Sequence, residues 1–141
     1  MTADDSLRQV TLDRVRSSHY TVTNARGGTI TIGQGGGTEF TPVELLLAAI
    51  GGCTAIDVDL VTSRRAEPDS FRVDVQAAKV NDAQGHRLTD IVVTFKVAFP
   101  DSDGGQAARE VLPNIVRQSH DRLCTVSRTV EIGTPVTTRI E

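Results

Sequence analysis

One stretch constrains this chain more than any other. Leu45 to Cys53 is an unbroken run of nine apolar or glycine residues, and Thr41-Pro42-Val43-Glu44 stands directly before it. That prefix reads as a helix start, with Thr41 as N-cap, Pro42 at the first helical position and Glu44 closing a capping box. A helix from there could run to Arg64 and Arg65, whose charges suit a C-terminal end. Its body is apolar on every side, so the sequence predicts a helix buried all round, with a second subunit as one means of covering it. Gly51 and Gly52 cost helix stability, roughly 1 kcal/mol each against Ala. Close approach by another backbone, or room beside Cys53, would compensate. Nine residues are too few to span a bilayer.

The 141-residue chain reads as one domain, residues 1–141, with 38% apolar and 4% aromatic residues. Its core is therefore aliphatic. The net charge of −3 gives no footprint for nucleic acid, and the 13 Arg against 2 Lys are scattered. The acidic start lacks the pattern of a signal peptide, and two Cys cannot make a disulfide scaffold. A cytoplasmic, reducing setting with free thiols is expected.

Period-two alternation predicts three strands within residues 8–32, with a turn at Ala25-Arg26-Gly27-Gly28. The glycine loop 33–37 lacks the order of a phosphate-binding fingerprint. Strands are expected from Phe71 to Ala77 and from Ile91 to Phe99. A second helix is expected after Ser102 or Asp103, kinked or interrupted at Pro113. A closing strand is expected over Thr134–Ile140. The predicted order βββ–α–ββ–α–β is α+β, with antiparallel sheet and two main helices.

Cys53 and Cys124 carry the reactive chemistry. They read either as buried structural thiols or as a redox pair, in which one sulfur becomes a sulfenic acid and the other closes a disulfide. The attacking sulfur would need a cation beside it, and Arg26 is a candidate; otherwise it is a solvated turn arginine. Asp57, one turn after Cys53, would raise the thiol pKa and reads as a structural polar contact. His120 reads as a surface histidine ahead of a Cys–His pair. No metal-ligand spacing is present, and no cofactor is called for.

Two segments resemble one family. Thr41 to Val58, with Leu45-Leu46-Leu47 and Gly51-Gly52-Cys53-Thr54-Ala55, is similar to the first-cysteine helix of the OsmC/Ohr family. Ser119-His120-Asp121-Arg122-Leu123-Cys124-Thr125-Val126-Ser127-Arg128 is similar to its second-cysteine segment. The resemblance implies an OsmC-like fold as an intertwined homodimer. It also implies thiol-dependent reduction of small organic hydroperoxides in oxidative-stress defence. Cys53 would then match the peroxidatic cysteine, Cys124 the resolving one and Arg26 the activating cation, with an external dithiol or lipoyl group as reductant. Three features depart from the pattern. Val43 follows the proline where the family has glutamate, and Glu44 would lie on the opposite helical face from Cys53, about 14 Å along the axis. Thr125 follows Cys124 where proline is common. The glycine-cysteine run is nearer the less characterised OsmC-like branch. A non-enzymatic dimer, serving as a stress protein, redox sensor or apolar-ligand carrier, is the alternative.

Overall fold

A computed structural model describes residues 5–141. The chain divides into two compact units, Met1–Leu46 and Leu47–Glu141.

In the first unit, β1 (Val10–Arg16), β2 (His19–Asn24) and β3 (Thr29–Ile32) form an antiparallel sheet in that order. Asn24 fixes the β2–β3 turn, because its Oδ1 accepts from the amides of Arg26 (3.0 Å) and Gly28 (2.9 Å). Gly27 supplies the left-handed φ of +90° that the turn requires. The expected capping box is formed. Glu44 N–H donates to Thr41 Oγ1 at 3.2 Å, and Thr41 N–H donates to Glu44 Oε1 at 2.9 Å.

Helix α1 (Pro42–Thr62) starts there and continues into the second unit, ending two residues before Arg64. It is long and apolar enough, by length and composition, to cross a membrane, because the helix extends beyond the nine-residue run at both ends. In this chain it buries one stripe instead: Ile50, Gly51, Thr54, Val58 and Thr62. The expectation of burial on all sides is not met within one chain, since Ile56 and Leu60 are 63% and 57% exposed.

β4 (Ser70–Asp82) and β5 (Gly85–Ala98) pair as a long antiparallel hairpin with a register shift between Gln76 and Ala78. Both strands outrun the expected ranges because the turn is tighter than its polar composition suggested. Asp82 Oδ1 accepts Gln84 N–H at 2.9 Å, and Gly85 takes φ +123°. α1 lies close on this hairpin at Gly51, where an added Cβ would stand 2.5 Å from Val75 Cγ2; Gly52 meets no such neighbour. Close approach therefore explains the first glycine.

α2 (Asp103–Gln118) is capped by Ser102, whose hydroxyl accepts Gly105 N–H at 3.0 Å. The interruption expected at Pro113 does not occur there. The residue lies on the exposed side, where water can satisfy the carbonyl that the proline ring leaves unpaired. The helix instead changes at Ser119–Leu123, a five-residue π-helical turn closed by Cys124 N–H to Ser119 O at 2.8 Å. α3 (Thr125–Glu131) follows, with Cys124 as its N-cap. The closing strand expected over 134–140 is absent; those residues form no regular secondary structure, and Val136 and Ile140 are over 90% exposed. Alternation alone makes no strand when no neighbouring backbone supplies its hydrogen bonds. The architecture among the described residues is thus α+β, with two antiparallel sheets, two longer helices and a short third.

Candidate functional site: a thiol pair at the start of α3

The second unit brings Cys53 and Cys124 together from positions 71 residues apart in the sequence. Cys53 projects from α1 and is half-buried; Cys124 is fully buried. The two sulfurs lie close enough for each to act on the other's ionisation. The first turn of α3 serves both. The Val126 amide favours the Cys53 thiolate, and Ser127 N–H donates to Cys124 Sγ at 3.3 Å. Ser127 Oγ lies 3.2 Å from Cys124 Sγ. Its hydroxyl can rotate to accept from the thiol or donate to the thiolate. Thr54, whose hydroxyl is only loosely bonded to the Ile50 carbonyl at 3.5 Å, adds a further donor to Cys124.

These contacts polarise the pair. Burial pushes the Cys53 thiol up, and the Cys124 sulfur and the nearby Asp57 carboxylate push the same way, against the single Val126 amide. Burial also pushes Cys124 up, but the Ser127 hydroxyl and amide, the Cys53 S–H and Thr54 outweigh it and bring that thiol below its ordinary value. The groups acting on the two sulfurs are uncharged donors, each other and Asp57. Arg26 stands in the β2–β3 turn of the first unit, exposed.

Asp57 is the structural contact expected of it, and its partner is one the sequence did not name: Ser119 Oγ donates to Asp57 Oδ2 at 2.8 Å. Ser127 was missed for a plain reason. A cysteine in the N-cap position hides the Ser/Thr/Asp/Asn signal that marks a helix start. His120 is exposed and faces carboxylates rather than a thiol, with Asp121 Oδ1 at 2.9 Å and Glu131 Oε1 at 2.8 Å. Among the described residues no group of three or more His, Cys, Asp or Glu is placed to hold a metal ion.

Beside the pair lies a cavity of about 260 Å³. Ile50, Ile91, Val93, Phe95 and Val116 make it apolar, and Thr54 and Ser127, both partners of Cys124, form part of its wall. The arrangement can bring two thiols together, ionise the buried one more readily and offer an apolar molecule a place next to them.

No curated protein matches the sequence. Solved structures share the fold. A hypothetical protein from Aquifex aeolicus VF5 aligns with a TM-score of 0.72 at 19% identity, over 92% of this chain and 90% of that one. An OsmC-like protein of unknown function from Vibrio cholerae aligns at 0.73 and 15% identity, over 89% and 94%. The organic hydroperoxide resistance protein OhrB of Bacillus subtilis aligns at 0.55 and 22%, over 88% and 90%. The family model for OsmC-like proteins matches residues 35–139, a span that holds α1, both long strands, α2, α3 and both cysteines, and the chain belongs to that family.

Proposed function

We propose that this protein is a thiol peroxidase that reduces small organic hydroperoxides and so serves peroxide defence. The observation that carries the reading is the gathering of Cys53 and Cys124, each acting on the other's ionisation, beside a largely apolar cavity. The half-exposed Cys53 thiolate attacks the terminal peroxide oxygen. An S–O bond forms, the O–O bond breaks, and the alkoxide leaves and takes up a proton as the alcohol. Cys124 then attacks the sulfenic sulfur; the S–S bond forms and hydroxide leaves as water. The donors around Cys124 suit that second step, because they favour its thiolate. An external dithiol or lipoyl group returns the disulfide to two thiols.

The first step needs positive charge, since burial, Cys124 and Asp57 all oppose ionisation of Cys53. We assign that task to Arg26 in the assembled protein. The assembly is a homodimer: Ile56 and Leu60 lie within one helical face of Cys53 and are exposed, leaving an apolar surface that a second copy would cover. OhrB of Bacillus subtilis is a hydroperoxide resistance protein and shares the fold.

Steady-state consumption of cumene hydroperoxide with dihydrolipoamide or dithiothreitol tests the reading. The wild type should turn over, Cys53→Ser should not, and Cys124→Ser should over-oxidise at Cys53. Equal rates for wild type and Cys53→Ser would remove the peroxidase. The upward push on Cys53 favours a second reading, a slow redox sensor on the same dimer. In that case titration of the assembled protein finds the Cys53 thiol still above its ordinary value, and peroxide oxidises it without turnover.

A further inference from the structure

Ser119 is fully buried and bonds in two directions. Its hydroxyl donates to Asp57 Oδ2 at 2.8 Å, across 62 positions of sequence. Its carbonyl accepts Cys124 N–H at 2.8 Å, the bond that closes the π turn. Asp57 lies one helical turn beyond Cys53 and on the same face. One residue therefore ties the turn of α1 that carries the first sulfur to the amide of the residue that carries the second.

Disulfide closure is geometrically strict, requiring Cα atoms about 4.4–6.8 Å apart and a near-perpendicular S–S torsion. Cys53 sits on a regular helix, whereas Cys124 sits at φ −76°, ψ 100°, between a π turn and a short helix. The two bonds of Ser119 fix where that irregular segment meets α1. We propose that Ser119 and Asp57 are positioning residues for the thiol pair: the Ser119 bridge from Asp57 to the Cys124 amide sets the sulfur–sulfur approach from which the disulfide closes. Neither residue touches the peroxide. The inference rests on the reading of Cys53 and Cys124 as a disulfide-forming pair, not on peroxidase turnover.

Equilibrium with glutathione measures the approach without any peroxide. Oxidised glutathione accepts two electrons from the Cys53 and Cys124 thiols, giving the protein disulfide and two reduced glutathiones. Ser119→Ala removes only the hydroxyl, and should shift the equilibrium toward the dithiol by up to about fivefold, because the two thiols lose the preorganisation the bridge gives them and one hydrogen bond bounds that loss. Asp57→Asn keeps an oxygen that can accept from Ser119 and should shift it less. Asp57→Asn should also lower the pH at which Cys53 ionises, whereas Ser119→Ala leaves the carboxylate in place. Circular dichroism of each variant establishes that it is folded before the comparison. A Ser119→Ala equilibrium within about twofold of wild type overturns the proposal, because a bridge that sets the sulfur approach must change the effective concentration of the two thiols by more than that. A larger effect of Asp57→Asn than of Ser119→Ala also overturns it, since charge rather than register would then control closure. Wild-type protein that closes its disulfide with glutathione yet consumes no cumene hydroperoxide contradicts the peroxidase and leaves the bridge standing.

Discussion

At Cys53 burial, the Cys124 sulfur and the Asp57 carboxylate all oppose ionisation. Replacing Asp57 with Asn should lower the thiol pKa, read by the pH dependence of alkylation by iodoacetamide; an unchanged titration would mean that burial alone governs this sulfur. Arg26→Ala should raise that pKa in the assembled protein and slow hydroperoxide attack by about 10²-fold, the usual loss when one stabilising donor is removed from a reacting centre. Both residues were legible in the sequence as neighbours or candidates, Asp57 through helical spacing and Arg26 through its glycine-flanked turn. Ser119 and Ser127 were not, because contacts across 62 positions and a cysteine N-cap leave no local pattern.

Gly51 and the α3 segment show how elements hold the site. Gly51→Ala should destabilise the fold by roughly 1–3 kcal/mol in urea unfolding, because the methyl would press into Val75 and β4 or α1 must shift. His120 joins the π turn to the end of α3 through Asp121 and Glu131, and these carboxylates raise its pKa above the ordinary 6.5. A raised folded pKa means that the protonated form is preferred in the native state. The strap's stabilisation is therefore complete below about pH 6.5 and is lost as pH rises through the folded value. His120→Gln should flatten the stability profile over that interval, measured by thermal unfolding at a series of pH values. With all three side chains more than half exposed, the effect is small. Helix α1 and its cap could be read from Thr41-Pro42-Val43-Glu44 alone, since capping is local chemistry. The π turn and α3 could not, since the pattern through Val116 and His120 is equally that of an unbroken helix. The strand expected over 134–140 failed for the complementary reason, that pairing depends on a partner backbone outside the segment.

For the molecule as a whole, α1 has more apolar surface than one chain covers. Light scattering should give a mass of twice 15.1 kDa, and Ile56→Asp combined with Leu60→Asp should halve it while leaving helical content intact. A wild type that scatters as a single chain would leave Arg26 without the assembly in which it is proposed to act. Fold class was readable because periodicity separates strands from helices and because two cysteine segments resembled one family; the family match over residues 35–139 agrees. The direction in which the thiol pair is polarised was not readable, because it depends on amides and hydroxyls that only folding gathers. The most direct measurement is a single turnover: fully reduced protein mixed with one equivalent of tert-butyl hydroperoxide, followed by mass spectrometry of the intact chain and its peptides. The account predicts a chain lighter by two hydrogens, with the peptides of Cys53 and Cys124 joined, and one equivalent of tert-butanol. Two free thiols beside unconsumed peroxide would contradict it.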